Sequence, residues 1–303
     1  MSILVVGSVA LDDIETPFGK AKEVLGGSAV YIATACSYFL SPIRLVGVVG
    51  GDYPQQAIDF LNNRGVDLEG LQVIEGGKTF RWSGKYHYDL NNRDTLSLNL
   101  NVFENFNPVI PESYKKTKYV CLGNIDPTLQ KQVLEQVEKP EFVVGDTMNF
   151  WIETKRKELL NVIPMFDAFI LNDSEARLLA NEPNLLRAAR KIREMGVKIL
   201  IIKKGEHGAL LFHDETVFSA PAYPLENIFD PTGAGDTFAA GFTAWIAKND
   251  DTSDLNLKKA VIYGSTMASF CVEKVSLDGL RDLSYLKIQD RFRAFKQLSQ
   301  FED

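Results

Sequence analysis

Short, largely apolar runs alternate with stretches of helical length through the first 200 residues, and this rhythm restricts the fold more than any other feature of the chain. The runs are Ile3–Val9, Ile43–Val49, Tyr119–Leu122, Phe142–Gly145, Ala168–Leu171 and Lys198–Ile202. They are apolar along their length rather than at every second residue, as strands covered on both faces require. Between them the spacing predicts helices at Ala29–Leu40, Gln55–Asn63, Pro127–Val137, Thr154–Val162 and Leu185–Met195. Strand and helix in alternation imply repeated βα units and a central, mostly parallel sheet with helices on both sides. After residue 230 the pattern is mainly helical, at Ala234–Ala247, Leu257–Cys271 and Ile288–Leu298. No repeat, low-complexity tract or long Pro/Gly/Ser linker interrupts the 303 residues, so one α/β domain spanning 1–303 is expected.

Charge and composition narrow the partners. With 33 Lys+Arg against 40 Asp+Glu, the net charge of −7 argues against a nucleic-acid surface. It does not exclude a phosphorylated small molecule, because a few backbone amides can bind one locally. Cys36, Cys121 and Cys271 are far apart and without a CxxC pair, giving neither a disulfide framework nor a zinc site. His87, His207 and His213 are equally scattered. No apolar run approaches the ~18 residues of a membrane span, and no basic stretch precedes an apolar one at the N-terminus. The expectation is a cytoplasmic protein with no membrane partner.

One region departs from the rhythm. In Thr79–Tyr88, Phe80, Trp82, Tyr86 and Tyr88 alternate with polar residues, and in Thr95–Val102 so do Leu96, Leu98, Leu100 and Val102. Asn91–Asp94 supplies turn chemistry between them. The pattern predicts an antiparallel hairpin with one apolar face inserted into the α/β body. That face must be covered by the protein's own core, by closing over a site as a lid, or by a second copy of the chain.

The segment richest in chemistry is Asp230-Pro231-Thr232-Gly233-Ala234-Gly235-Asp236-Thr237-Phe238. Two glycines ahead of a helix let successive N–H groups converge, and the helix N-terminus adds its positive end, forming an anion hole. Asp236, in the first helical turn, is either a capping residue or a general base beside a bound phosphate.

This string resembles the C-terminal signature of the PfkB or ribokinase-like family of small-molecule kinases. Other matches follow in the family's order: Gly7–Asp12, with a first strand leading to an aspartate; Gly26-Gly27; Asn172-Asp173-Ser174-Glu175 as N-x-x-E; and Lys204–Gly208 as a glycine turn. The resemblance implies a three-layer α/β/α fold with a small β lid, formed here by about residues 12–25 and 76–103. It implies ATP and Mg2+ as cofactors, Asp236 as base, and the amides of Gly233, Ala234 and Gly235 as the hole for the transferring phosphoryl group. It also implies Asp12, Gly26, Gly27 and Tyr31 around the acceptor, and Lys204, Gly205, Gly208, Gly264 and Met267 near the nucleotide. Asn172 and Glu175 would orient magnesium-bound waters, and Asp230 and Thr232 would border a potassium site.

Local readings stand beside these. Asn172 and Glu175 also fit a helix cap, Gly205 and Gly208 a plain hairpin turn, and Gly264 and Met267 core packing. Asp146, ending a strand, lies where a crevice at the sheet's carboxyl edge would form. Sugar-binding members continue the glycine pair to an asparagine, where this chain has Tyr31, either packed or offering a flat face. The substrate expected is a small polyhydroxylated molecule: a sugar or a cyclitol first, a nucleoside next, with a catalytically silent sensor as the rival class. The apolar hairpin makes a homodimer a further expectation.

Overall fold

The computed structural model describes residues 1–300. Its strands are β1 (Ile3–Val6), β2 (Ala10–Thr16), β3 (Gly19–Gly26), β4 (Ile43–Gly50), β5 (Val66–Ile74), β6 (Phe80–Tyr86), β7 (Arg93–Asn99), β8 (Tyr119–Leu122), β9 (Phe142–Asp146), β10 (Ala168–Asn172), β11 (Ile199–Lys203), β12 (Ala209–His213) and β13 (Thr216–Ala220). Nine of them form one sheet in the order β13-β12-β11-β10-β9-β8-β1-β4-β5. Pairing is parallel from β11 through to β5, and β12 and β13 add an antiparallel edge.

The continuous apolar runs are explained by the two layers that cover this sheet. Ile3 and Val5 join one core with the helices Ser28–Cys36, Ala234–Asn249 and Asp254–Cys271. Leu4 and Val6, pointing the other way, join a second core with Val133, Leu159, Leu179 and Ile192. Both cores are essentially dry, so alternation is lost because neither face of the strand meets water.

Several boundaries differ from expectation. Strand β1 stops at Val6, and the helix expected over 29–40 ends at Cys36. The helix expected over 154–162 is two, Asn149–Thr154 and Arg156–Val162. Strand β5 is not legible as a strand in the sequence because Asp67, Glu69 and Gly70 interrupt it, as an edge strand permits. Among the described residues, no helix is long and apolar enough to cross a membrane.

The second sheet has the order β3-β2-β6-β7. Strands β6 and β7 are the expected antiparallel hairpin, and β2 pairs β6 in parallel. The face is less uniform than the sequence suggests. Ser83 pairs with Ser97 but Gly84 with Thr95, so Leu96 is an extra residue that breaks the alternation. Leu96 and Leu98 stay 57% and 53% exposed, and Tyr88 lies beyond the strand in the turn at 92%. Phe80, Trp82 and Tyr86 do share one face, and the register places Asp12 beside Trp82 on it. That face looks toward the large sheet, because Thr232 Oγ1 donates to Tyr86 Oη at 3.1 Å.

Candidate active site

The acceptor end of the site grows from the first crossover. Ser8 and Ser28 exchange hydrogen bonds between each backbone N–H and the other's hydroxyl, at 3.1 and 3.0 Å, and Ala29 N–H donates to Ser8 O at 3.0 Å. These bonds pin the start of the helix Ser28–Cys36 against the end of β1. The Gly26-Gly27 pair is required by the crowding that results. A side chain at Gly26 would overlap the Asp12 carboxylate, and Gly27 adopts φ +91° with no room for a Cβ beside Ser8 O. Asp12 is 4% exposed, and its Oδ1 is buried with no hydrogen-bond partner. A buried, unpaired carboxylate oxygen is costly in a finished fold, and hydroxyl donors from a ligand would satisfy it.

The anion end is built on Asp230. Its Oδ1 accepts from Thr232 N–H at 2.9 Å and its Oδ2 from Ser276 N–H at 2.8 Å, which holds the loop in place ahead of the helix Ala234–Asn249. Gly233 is the N-cap, at φ +74°. Ala234 N–H, expected in the hole, donates to Pro231 O at 3.2 Å, whereas the Gly235 and Asp236 amides make no backbone hydrogen bond and remain available to an anion. Tyr31 is 1% exposed, and its ring packs where a Cβ of Gly233 would be. Of the two readings of Tyr31, packed or offering a flat face, the ring packs against the glycine loop. Asp230 and Thr232, expected beside potassium, hold the loop and the lid through the bonds already given.

The carboxyl ends of three adjacent strands meet this loop. Asp146 ends β9, Asn172 ends β10 and Lys203 ends β11, with Asn172 and Lys203 in register. Lys203 Nζ lies 3.8 Å from Asp146 Oδ2 and 2.9 Å from where a Cβ of Gly235 would stand. The lysine that reaches the anion hole is therefore Lys203. The only sequence signal for it is a lysine closing an apolar strand, beside Lys204 in the glycine-turn motif. Asn172 and Glu175 form a complete capping box: Glu175 N–H donates to Asn172 Oδ1 at 2.8 Å and Asn172 N–H to Glu175 Oε2 at 2.7 Å. The local reading is what these side chains do, and the cap also turns the buried Glu175 toward Lys203 and Asp146.

Burial and crowding of like charges leave the carboxyls reluctant to ionise. Asp12 is pushed up to about 8, by burial first and then by Asp230, Asp236 and Asp13. Asp236 is pushed up to about 7, by burial and then by Asp146, with Lys203 and Arg93 opposing. Glu175 is pushed up to about 7, by burial, with Lys203 opposing. Clustered carboxyls with pKa values near neutrality in one crevice are what a proton-transfer site needs.

The expected nucleotide neighbours divide. Gly205 and Gly208 shape the β11–β12 hairpin, with Lys204 N–H donating to Gly208 O at 2.7 Å, and the turn stands at the same edge as Lys203. Gly264 and Met267 lie in the crossing of the helices Ala234–Asn249 and Asp254–Cys271: a Cβ at Gly264 would press on Phe238 O, and Met267 is 0% exposed. Both are packing residues here rather than walls of a pocket.

A glycine-lined anion hole, a lysine and a carboxyl base facing a buried carboxylate under a β lid define a phosphotransferase with a small hydroxyl acceptor. The chain belongs to the pfkB family of carbohydrate kinases, whose family model matches residues 2–280. It is 29% identical over 249 residues to the cytidine kinase of Thermococcus kodakarensis, covering 80% of this chain and 88% of that one. It is 23% identical over 287 residues to the nucleoside kinase of Methanothermobacter thermautotrophicus, covering 89% of each. The structure of an Arabidopsis thaliana ribokinase complexed with ribose and ATP superposes with a TM-score of 0.77 at 18% identity, covering 96% of this chain and 98% of that one.

Proposed function

We propose that this kinase transfers the γ-phosphoryl group of ATP to a ribose hydroxyl of a nucleoside. The observation that carries the reading is the Asp12 carboxylate, buried with Oδ1 unpaired and flanked by Trp82 across the β2–β6 pairing. A carboxylate accepts from the hydroxyls of a sugar, and an indole beside it gives a base a surface to stack on. Similarity to a cytidine kinase and a nucleoside kinase favours the nucleoside over the sugars and cyclitols placed first on sequence grounds.

In the proposed mechanism, Asp12 and the Gly26-Gly27 turn hold the acceptor, and the lid closes to exclude water, a competing acceptor. The Gly235 and Asp236 amides, with Lys203, hold the triphosphate. Asp236 takes the proton of the attacking hydroxyl while the acceptor oxygen bonds to the γ-phosphorus and the bond to the β-phosphate oxygen breaks. Asp146 and Glu175 are the oxygen donors available to Mg2+, directly or through water, and the ion would neutralise phosphate charge. We place the chain in the cytoplasm and its lid edge, through the exposed Leu96 and Leu98 of β7, against a second copy.

The test is ADP release from MgATP across pentoses, hexoses, inositols and nucleosides, with Asp236→Asn as the blank. Nucleosides, cytidine among them, are expected to turn over, and the variant to lose about 10²–10⁴-fold in kcat. Turnover of free sugars alone would overturn the nucleoside assignment, and near-normal turnover by Asp236→Asn would overturn the mechanism.

A further inference from the structure

The lid carries a charged residue that the site reading leaves unused. Arg93 opens β7 and pairs with Tyr86 across the hairpin, so the two side chains share the face that looks into the site. Tyr86 is anchored there by Thr232, the residue before the anion-hole glycine. Farther along, the tip of the lid meets the other wall, since Asn91 Oδ1 lies 2.8 Å from where a Cβ of Gly205 would stand. The lid therefore bridges the phosphoryl loop and the β11–β12 turn, and Arg93 stands opposite Tyr86, the anchor at the phosphoryl loop.

Arg93 makes no ion pair among the described residues. Its guanidinium stands 5.6 Å from the centre of the Trp82 ring. Asp12 is paired with Trp82 across β2 and β6, so the guanidinium over that ring is on the lid face that carries the acceptor carboxylate, and its charge favours ionisation of Asp12, Asp236 and Glu175. A guanidinium presents a planar fork of donors suited to a phosphoryl group and stays charged throughout.

We infer that Arg93 is a catalytic residue carried by the lid, contacting the phosphoryl group in transit and sharing its developing charge with the Gly235 and Asp236 amides and Lys203. The arginine gains and loses nothing covalently. The bond made joins the acceptor oxygen to phosphorus, the bond broken releases ADP, and the proton goes to Asp236. Closure of the lid thereby completes the charge complement of the site as well as excluding water. The inference rests on phosphoryl transfer by this family and not on which acceptor is used.

The experiment compares Arg93→Ala and Arg93→Lys with wild type. With an acceptor that wild type phosphorylates, kcat should fall about 10²–10³-fold in Arg93→Ala, with acceptor KM within threefold. Arg93→Lys should recover little, and added guanidinium should partly rescue Arg93→Ala. In parallel, the thermal shift produced by MgADP with aluminium fluoride, a mimic of the phosphoryl group in transit, should be lost in Arg93→Ala while the MgADP shift remains. This arm needs no acceptor, so it stands even if nucleosides fail, and the retained MgADP shift shows that the variant is folded. A kcat within threefold of wild type, an unchanged fluoride-dependent shift, or a rise in acceptor KM at constant kcat would each overturn the inference. The last outcome would make Arg93 an acceptor-binding group.

Discussion

Replacing Asp12 by Asn should make the protein more stable and unable to hold its acceptor. The carboxyl moves from its ordinary 3.8 to about 8 in the folded state, through burial and the charges of Asp230, Asp236 and Asp13. Because the folded pKa is raised, the folded chain binds more protons than the unfolded one between about pH 4 and pH 8. Wild-type stability is therefore undiminished by this group below pH 4, falls across that window, and carries the full deficit above pH 8. At ~1.4 kcal/mol per pH unit, a gap of about four units sets a ceiling of roughly 5 kcal/mol at pH 9, and only about a quarter of that at pH 5. Asn is nearly isosteric and uncharged, so it removes the slope without opening a cavity. Urea unfolding of both proteins at pH 5 and pH 9 measures the effect as a difference of differences, in which carboxyls remote from Asp12 cancel and the relief of Asp230 and Asp236 is included. An advantage for Asp12→Asn that is larger at pH 9 by at least about 2 kcal/mol is expected, together with loss of the thermal shift caused by acceptor. An equal advantage at both values, or none, would refute the claim that Asp12 is held against its preference for the sake of a ligand.

The pH profile of kcat/KM should show an acid limb bending at about 7–8, because Asp236 must be ionised to act as base and Asp12 to accept hydroxyl donors. Lys203 lowers the pKa of Asp236, so Lys203→Met should move that limb upward as well as reduce the rate; a downward move would contradict the placement of the lysine. For the lid edge, Leu98→Asp should shift size-exclusion elution of the protein from dimer to monomer, and unchanged elution would count against a lid-mediated dimer.

Much of the frame was legible in the chain. The apolar runs became the strands of the large sheet, and the Thr79–Val102 alternation became β6 and β7, because periodicity records which faces avoid water. The Asp230–Asp236 string was readable as an anion hole because its chemistry is local: a glycine at φ +74°, a helix start and a first-turn carboxylate within seven residues. Gly26-Gly27 was equally local, though the reason for it was not, since Asp12 and Ser8 crowd it from 14 and 19 residues away.

What the chain could not disclose is which side chains meet. Lys203 and Lys204 are neighbours of the same type, and only the pairing of β11 beside β10 turns the first toward Asp146 and Gly235. Tyr31 was open to packing or to offering a face, and the packing of its helix places the ring against Gly233. Asn172 and Glu175 left a cap and a metal site open, and the hydrogen bonds make the cap explicit. Arg93 read as part of a turn, and becomes a residue of the site because the lid folds over from 137 residues before Asp230. By itself, then, the sequence determined the βα frame, the anion loop and the hairpin, since burial periodicity and helix-start chemistry act over a few residues. Tertiary structure alone decided the electrostatics of the site, because strands distant in sequence deliver their carboxyl ends to one dry crevice, where each charge alters the others.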